Sequence, residues 1–438
     1  MSLPRAPGAD NMLKTPNLLF FLVDDLGWAD VGYNGATYHL TPNIDAFAKK
    51  ALVFDNAYTM PTCSPARVSL FTGMTAPHTG VYHVENFART PKKYFKVQPV
   101  KSGHFYEKPI EMLGDSMRAA GYVTAYVGKW HVDRDPTAHG FDQNFGGCGR
   151  GAPKSYFSPY SNPALADGPD GEYLPKRLLS EASEFIKANK DKAFFLCYAP
   201  YLVHRPLQAP KEDIARFEKR EKETARHDPT YAAMVEWTDR VFQGVLDTLE
   251  SEGLAENTVI VFTSDNGING LVGDATPLRG EKGSCYEGGL RVPTMVYWPG
   301  VTEAKHSSAL VDIVDWYPTL LSIAGGAAPE HALDGVDLTD VLGGKTNSAR
   351  DAVYWHMPCY NGSPDHKQIW QTPFSAIRSG RHKLIYFYED DSLELYDLVD
   401  DIGETNNLAR TMPEKAENLR KELFRWLKAQ NAPLPVKK

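Results

Sequence analysis

Leu18-Leu19-Phe20-Phe21-Leu22-Val23, followed directly by Asp24-Asp25, is the segment that decides the fold class. An uninterrupted apolar run of this length is typical of a strand that is buried on both faces of a parallel sheet. Further runs of the same kind lie along the chain at Val123–Val127, Phe194–Tyr198 and Val259–Thr263. The sequence therefore predicts a sheet with several buried strands.

Helical patterns separate these apolar runs. Helices are predicted at Glu111–Ala120, Pro175–Lys190 and Tyr231–Glu252. Because strands alternate with helices, we predict an α/β domain in which a large, mostly parallel sheet is sandwiched between helices.

After Gly343-Gly344 the pattern changes to short strands that no helices separate. We predict three antiparallel strands and a closing amphipathic helix, at Phe374–Ser379, His382–Tyr388, Leu393–Leu398 and Pro413–Gln430. The predicted organisation is therefore a large α/β domain at residues 1–345 and a smaller α+β subdomain with an antiparallel sheet at residues 346–438.

The composition is that of a globular protein, with 42% hydrophobic and 23% charged residues in a chain of 438. A formal net charge of -8 disfavours general binding to nucleic acid or to anionic membranes, so local cations would have to hold an anionic substrate. The longest N-terminal apolar run, Leu18–Val23, is too short to cross a bilayer, and the polar segment Met1–Lys14 shows no signal peptide. The compartment stays open, because a leader can be removed before the first residue of this chain.

The five cysteines lie far apart and form no Cys-x-x-Cys pair, which argues against a disulfide framework and against a zinc cluster. One of them begins the segment Cys63-Ser64-Pro65-Ala66-Arg67. Pro65 favours the first turn of a helix, so Cys63 would lie at the positive helix end with Arg67 one turn away. This pattern fits a nucleophile beneath an anion-binding site, and it also fits a small buried cysteine that precedes a helix.

Polar residues follow each predicted strand, at the sheet edge where ligands gather in open α/β folds. These segments are Asp24-Asp25, Gly128-Lys129-Trp130-His131, His204 and Ser264-Asp265-Asn266-Gly267. Each segment taken alone also fits a helix cap, a turn or a solvated residue.

Together with Arg67 and Lys282, these residues supply three kinds of chemistry. Hard oxygen ligands, which suit Ca²⁺ or Mg²⁺ and not zinc, come from Asp24, Asp25, Asp265 and Asn266. Groups that transfer protons come from His131 and His204. Fixed positive charge for an oxyanion comes from Arg67, Lys129 and Lys282.

In these residues the chain resembles the formylglycine-dependent sulfatases, which have the alkaline-phosphatase-like fold. The resemblance covers nearly the whole chain and rests on segments in the family's order: Asp24-Asp25-Leu26-Gly27, Cys63 to Arg67, Gly73 with Thr79-Gly80-Val81, Gly128 to His131, Ser264 to Gly267, Leu278 to Gly283, and Glu287-Gly288-Gly289. The family's small C-terminal subdomain is matched by Leu395-Tyr396-Asp397-Leu398, Glu404 and Asn407-Leu408. The resemblance implies the large mixed sheet of that fold and a C-terminal subdomain that contributes to the substrate pocket.

The implied activity is hydrolysis of a sulfate ester. The implied substrate is a sulfated carbohydrate. Cys63 would be oxidised to formylglycine by a formylglycine-generating maturation enzyme, and one hydroxyl of the hydrated aldehyde, held on a metal, would attack the sulfur. The implied metal is Ca²⁺, with Mg²⁺ as the alternative, and its ligands would be Asp24, Asp25, Cys63, Asp265 and Asn266. Asp25 could instead orient the other ligands.

The resemblance also implies roles for the cations and the histidines. Arg67, Lys129 and Lys282 would stabilise the transferring group. His204, together with Lys282, would protonate the departing alcohol, and His131 would deprotonate the second hydroxyl so that sulfate is expelled. Which histidine acts as the acid stays open.

Three segments are candidates for recognition of the leaving group. Arg89–Lys108 carries six Lys or Arg residues, one acid and several aromatic rings. We hypothesise that it binds a sulfated or uronate-containing sugar, while a solvated basic loop is the alternative. Gly146–Tyr173 and His356–Phe374 are candidate pocket walls. The predicted substrate-binding residues are Arg67, Lys129, His204 and Lys282, with His104, Asp365 and His366 added from these segments.

Two other functions stay open from the sequence. One is a phosphatase or a phosphonate or phosphate diester hydrolase with the same nucleophile and metal site. The other is a catalytically inactive, glycan-binding relative. The resemblance further implies a periplasmic or secreted protein, and the net charge of -8 leads us to expect no nucleic acid or membrane partner. The sugar, the sulfated position and the oligomeric state stay open.

Overall fold

The computed structural model describes residues 15–84, 92–103, 110–222, 224–363 and 368–438. The strands of these residues are β1 Asn17–Val23, β2 Leu52–Tyr58, β3 Val97–Gln98, β4 Val123–Gly128, β5 Gln143–Phe145, β6 Phe194–Ala199, β7 Thr258–Ser264, β8 Met295–Tyr297, β9 Lys305–Asp312, β10 Ala352–Met357, β11 Asn361–Ser363, β12 Gln368–Gln371, β13 Phe374–Ser379, β14 His382–Phe387, β15 Leu393–Asp397 and β16 Val436–Lys437. The α-helices are α1 Pro42–Ala48, α2 Cys63–Thr72, α3 Ala76–Thr79, α4 Leu113–Ala119, α5 Leu174–Ala188, α6 Lys211–Glu218, α7 Pro229–Ser251, α8 Glu287–Leu290, α9 Trp316–Ala324, α10 Thr339–Leu342 and α11 Pro413–Ala429.

An eight-stranded sheet in the order β5-β4-β6-β1-β7-β8-β2-β9 forms the centre of the molecule. All of its strands run parallel except β8, which pairs antiparallel with both β7 and β2. The four strands predicted from apolar runs are β4, β6, β1 and β7, and they are neighbours in the sheet. The prediction of a large, mostly parallel mixed sheet is confirmed.

Side chains alternate between the two faces of this sheet, as the two-residue period of a strand requires. On β1, Leu18, Phe20 and Leu22 join a core with residues of α2, α4 and α9. Leu19, Phe21 and Val23 join a second core with residues of α1, α5 and α7. The sheet is therefore covered by helices on both faces, and its central strands β6, β1 and β7 are buried at every position.

A second, antiparallel sheet follows, in the order β10-β13-β14-β15. One of its faces is covered by α11, where Leu419 and Leu423 pack near Ile377 and Leu384. Its other face belongs to the core of the large sheet, and the Trp355 indole donates to the Thr59 carbonyl at 2.9 Å. The predicted strands and the closing helix are confirmed, while the division of the chain at residue 345 stays a prediction.

Within the described ranges, none of the helices combines the length and the apolar character that crossing a bilayer requires.

Candidate active site

The carboxyl ends of neighbouring parallel strands bring the predicted site residues to one edge of the large sheet. Asp24 and Asp25 follow β1, Lys129 follows β4, and Asp265 follows β7. Backbone hydrogen bonds hold these ends together. The Asp265 amide donates to the Val23 carbonyl at 3.0 Å, and the Lys129 amide donates to the Ala199 carbonyl at 2.7 Å.

Cys63 is the first residue of α2, as predicted from Pro65, and the helix is buried over its whole length. It ends at Gly73, whose φ of 66° is in the left-handed region that glycine adopts without a steric penalty. Arg67, one turn after Cys63, donates from Nε to Asp265 Oδ2 at 2.8 Å and from Nη1 to the Lys129 carbonyl at 2.5 Å. The helix therefore fixes Cys63 and Arg67 against the ends of β7 and β4.

Three carboxylates meet three side-chain cations at this edge. The Lys129 ammonium donates to both oxygens of Asp24, at 2.8 and 2.7 Å. Lys282, which comes from the loop between β7 and α8, donates to Asp25 Oδ1. With the Arg67–Asp265 pair, the cluster has three carboxylates and three cations, and all of them are buried except Lys282, which is 14% exposed.

Cys63 lies at the centre of these groups. Its Sγ is 3.6 Å from His131 Nδ1 and 3.8 Å from Lys282 Nζ. Burial raises the pKa of the Cys63 thiol, although the charges of Lys129 and Lys282 oppose the shift. The unmodified side chain is therefore a neutral thiol at neutral pH and not an activated thiolate.

The two predicted histidines face the cluster in different ways. Burial, with the nearby charges of Lys129 and Arg67, lowers the pKa of His131 well below its usual range. His204 donates from Nδ1 to the Arg205 carbonyl at 2.7 Å, since a carbonyl can only accept, and its Nε2 lies 3.8 Å from Asp25 Oδ2. Burial lowers the pKa of His204 to about 3, and Asp25 opposes the shift only in part.

The oxygen atoms at the end of β1 and β7 fit a hard cation. Asn266 donates from Nδ2 to Asp25 Oδ1 at 2.8 Å. The Oδ1 atom of Asn266 takes no part in that bond. Among the described residues, Asn266 Oδ1 and Asp25 Oδ2 are buried acceptors without a hydrogen-bond partner. Ligand atoms of Asp24, Cys63 and Asp265 lie within 4.8 Å of one another, as do those of Asp24, Asp25 and His204. Buried acceptors without donors are costly unless a cation or a donor satisfies them, so the residues present fit a metal ion.

Two residues of the site also have a strained backbone. Asp25 and His131 have φ values of 64° and 58°, in the left-handed region that residues other than glycine rarely adopt. Such conformations are kept where the surrounding structure enforces them, often at functional sites.

Other residues complete the site without having been predicted. The Tyr126 hydroxyl donates to the Lys129 carbonyl, and the Thr59 hydroxyl donates to the Asp265 carbonyl at 2.8 Å. Asn361, on β11, contacts His83 Nε2 at 3.0 Å through Oδ1 and donates to the Gly283 carbonyl at 3.3 Å through Nδ2. Asn361 thus ties the C-terminal region to the loop that carries Lys282, a contact between distant residues that no local pattern indicates.

The candidate recognition segments are described in part. His104, Asp365 and His366 lie outside the described residues. Within Gly146–Tyr173, Gly151 packs against His131, since a Cβ atom there would lie 2.6 Å from His131 Cε1. Gly146–Tyr173 therefore reaches the site through Gly151. His356–Phe374 reaches it through Asn361. Among the lysines of the basic segment, Lys96 pairs with Glu389 at 3.1 Å, and the binding of sugar by that segment stays a prediction.

Two protein-family models match parts of this chain. A family model described as Sulfatase matches residues 16–327. The chain belongs to the sulfatase family. A second model, described as N-sulphoglucosamine sulphohydrolase, C-terminal, matches residues 281–432 of this sulfatase.

Similar proteins extend over most of the chain. A protein named Sulfatase from Formosa agariphila is 30% identical, over 97% of this chain and 90% of its own length. Human N-acetylgalactosamine-6-sulfatase is 32% identical, over 76% of this chain and 67% of its own length. The solved structure of Ps i-CgsB in complex with k-i-k-neocarrahexaose has a TM-score of 0.78 and 28% identity, and it covers 94% of this chain and 93% of its own. This sulfatase is accordingly a sulfuric ester hydrolase, with the fold predicted from its sequence.

Proposed function

We propose that this sulfatase removes sulfate from an ester on a carbohydrate. The proposal is supported by relatives with sulfated sugars in their names, such as human N-acetylgalactosamine-6-sulfatase, and by the oligosaccharide in the Ps i-CgsB structure. The observation that carries it is the cluster in which Cys63 lies 3.6 Å from His131 Nδ1 and 3.8 Å from Lys282 Nζ. A sulfate monoester placed over Cys63 would meet fixed cations on several sides.

The residues that would hold a divalent cation are Asp24, Asp25, Asp265 and Asn266, with the side chain of residue 63 as a further ligand. We propose Ca²⁺, with Mg²⁺ as the alternative, because carboxylate and amide oxygens suit both ions. A bound divalent cation would neutralise charge on the sulfate oxygens and acidify a coordinated hydroxyl. Because the protein's own carboxylates and cations balance, the ion would give the site the positive charge that an anionic ester needs.

Cys63 is the residue proposed to become formylglycine, through a formylglycine-generating maturation enzyme. Its thiol is buried and neutral, and sulfur is a poor partner for a hard cation, so the unmodified side chain suits neither a thiolate nucleophile nor a calcium ligand. The hydrated aldehyde would have two hydroxyl groups. One would be the oxygen nucleophile at this position, and the second would remain for the later release of sulfate.

The protein's own residues would bind the ester and move its protons. Lys129, Arg67 and Lys282 would hold the anionic group in one orientation. His131, neutral because burial lowers its pKa, can accept a proton at Nδ1, the atom that faces residue 63. His204 has Nδ1 committed to the Arg205 carbonyl, so Nε2 is its atom for donating a proton to the leaving oxygen. The negative charge of a bound ester would favour the protonated form of His204.

The test is a comparison of substrates with the matured enzyme. Nitrophenyl sulfate and nitrophenyl phosphate separate a sulfatase from a phosphatase, and a panel of defined sulfated mono- and disaccharides tests the carbohydrate assignment. We expect turnover of the aryl sulfate well above that of the phosphate, and release of sulfate from at least one saccharide. Turnover of the aryl sulfate alone would contradict the carbohydrate assignment.

We also propose, from the resemblance to the sulfatase family, that the protein acts in the periplasm or outside the cell. Fractionation of the native host, followed by detection of the protein in each fraction, tests this directly. Recovery from the cytoplasm alone would contradict it.

A further inference from the structure

A cleft of about 440 Å³ adjoins the site on the side of Lys282. Its walls come from three parts of the chain: Asn269–Leu271 after β7, Arg279–Ser284 with Tyr286 in the loop before α8, and Ile369–Gln371 of β12.

Two large apolar side chains in the cleft are open to solvent. Trp370 is 47% exposed and Leu271 is 59% exposed. Tryptophan is usually buried over most of its surface, and apolar side chains that line one concave surface often mark a ligand site.

The charged groups of the cleft are already paired within the protein. Arg279 donates to the Tyr396 hydroxyl at 2.8 Å and to the Glu404 carbonyl at 3.0 Å, and its guanidinium lies 3.7 Å from the centre of the Tyr286 ring. Glu281 accepts a hydrogen bond from Arg226. What the cleft offers a ligand is therefore mainly the ring of Trp370 and the side chain of Leu271, which suits the apolar face of a sugar better than a second sulfate group.

Hydrogen bonds hold the wall of the cleft in place. The Gln371 side chain accepts from the Cys285 amide at 3.0 Å, and Asn361 on the paired strand donates to the Gly283 carbonyl at 3.3 Å. These bonds fix β11 and β12 against the loop that carries Lys282. A wall held in this way needs little ordering when a ligand binds.

Lys282 joins the cleft to the reaction site. It lines the cleft, and its Nζ contacts Asp25 and lies 3.8 Å from Cys63 Sγ. An ester bound at Cys63 whose leaving group is longer than one sugar would extend past Lys282 into the cleft.

We propose that this cleft is a subsite for the saccharide unit next to the sulfated one, and that Trp370 stacks against the apolar face of that unit. The inference rests on the proposed carbohydrate function. It makes Trp370 and Leu271 specificity-determining residues that favour an oligosaccharide over a sulfated monosaccharide.

Variants of Trp370 and Leu271 test the proposal against three substrates: nitrophenyl sulfate, the sulfated monosaccharide, and the sulfated oligosaccharide that the wild type desulfates best. We expect Trp370→Ala to lower kcat/KM for the oligosaccharide about tenfold, mainly through KM, because it removes the stacking surface. The two smaller substrates should be turned over as by the wild type. Trp370→Phe, which keeps a ring, should recover most of the loss, and Leu271→Ala should act in the same direction. Leu434→Ala is the matched control, since Leu434 is an exposed leucine (41%) that does not line this cleft.

Two results would overturn the subsite. One is unchanged turnover of the oligosaccharide by Trp370→Ala. The other is an equal loss on all three substrates with no recovery in Trp370→Phe, which would mean that Trp370 only supports the loop of Lys282. If the wild type desulfated no saccharide while it cleaved the aryl sulfate, the carbohydrate assignment would fail and the subsite with it.

Discussion

His204 Nε2 lies 3.8 Å from Asp25 Oδ2, while its Nδ1 donates to the Arg205 carbonyl at 2.7 Å. The backbone bond fixes the ring orientation, so the same nitrogen always faces the charged cluster. Because Nε2 is the nitrogen that faces the cluster, we propose that it carries the proton for a departing alcohol once His204 is protonated. The contact of His131 Nδ1 with Cys63 Sγ gives that histidine a different position, on the side of the nucleophile.

This difference predicts that His204→Asn will depend on the leaving group. Nitrophenolate leaves with little help, whereas a sugar alkoxide needs a proton, and general acid catalysis is typically worth about 10²–10⁴ in rate. We expect His204→Asn to lower kcat by about 10²–10³ on a sugar sulfate and by less than about tenfold on nitrophenyl sulfate. His131→Asn serves as the comparison and should lower turnover of both substrates to a similar degree. Steady-state kinetics that show equal losses for His204→Asn would refute its role as the acid.

Lys282 is predicted to stabilise charge that develops in the reaction. Its ammonium contacts Asp25 and lies 3.8 Å from Cys63 Sγ, so Lys282→Met removes the cation but keeps much of the side-chain volume. Loss of one such donor typically costs about 10²–10³ in kcat. Lys345→Met is the control, because Lys345 forms a surface ion pair with Asp340 at 2.8 Å. Aryl sulfate kinetics with near wild-type kcat in Lys282→Met would count against the proposal.

Removal of the metal should lower both activity and thermal stability. Asp25 Oδ2 and Asn266 Oδ1 are buried acceptors without hydrogen-bond partners among the described residues, so an ion bound there would stabilise the native state. A ligand present at 100 times its Kd adds about 2.7 kcal/mol. We expect a chelator to lower Tm and abolish turnover, and Ca²⁺ to restore both.

Two variants test whether the change of Tm with Ca²⁺ arises from an ion bound at this site. Asn266→Ala should weaken the rise of Tm with Ca²⁺, whereas Asp55→Asn, which changes a half-exposed carboxylate paired with His306, should leave it unchanged. A Tm that does not respond to chelator or to Ca²⁺ in the wild type would be evidence against a metal at these residues.

Glu404 predicts a pH dependence of stability that is separate from the active site. Burial raises its pKa to about 7, Lys383 opposes the shift, and Glu287 adds to it. Its Oε1 lies 2.9 Å from Lys383 Nζ, and its Oε2 accepts from the Glu287 amide at 2.7 Å. The folded protein therefore holds this proton more tightly than the unfolded chain does.

The sign follows from linkage. Between the ordinary glutamic acid pKa of 4.5 and about 7, only the folded state keeps the proton, so this stabilising contribution is lost as the pH rises. Glu404→Gln mimics the protonated form and should remove the loss. We expect the Tm of Glu404→Gln relative to the wild type to increase from pH 5 to pH 8, measured by calorimetry. A Tm difference that stays constant over this range would show that Glu404 does not titrate there.

Parts of the fold could be predicted because the burial pattern is local. The strands β1, β4, β6 and β7 are mainly apolar, and their ends were predicted within one residue. In β2, Asp55 and Asn56 interrupt the apolar run, and β9 begins with polar residues, so neither strand has the pattern of a buried strand. Their place in the sheet depends on the pairing of β2 with β8 on one side and with β9 on the other, which the sequence does not encode locally.

The helix that carries Cys63 and Arg67 was predictable for a similar reason, since Pro65 favours a first turn whatever the rest of the chain does. The contact of Lys282 with Cys63 joins residues 219 positions apart. Lys282 was predicted as a cation for an oxyanion, but only the family resemblance placed it beside the nucleophile. Asn361 reaches Gly283 across 78 positions. Its segment, His356–Phe374, was predicted as a candidate pocket wall, but Asn361 itself was not singled out, because its importance arises only when β11 packs against that loop.

The central claim is that residue 63 acts as a converted side chain at the edge of the sheet, and mass spectrometry of the peptide that contains it tests this most directly. Preparations with different degrees of conversion would be compared for their fraction of aldehyde and their turnover of nitrophenyl sulfate. The account predicts that turnover is proportional to the aldehyde fraction and is lost in Cys63→Ala, while Cys359→Ala, a change at another buried cysteine, retains it. Full turnover by protein in which residue 63 is entirely thiol would contradict it.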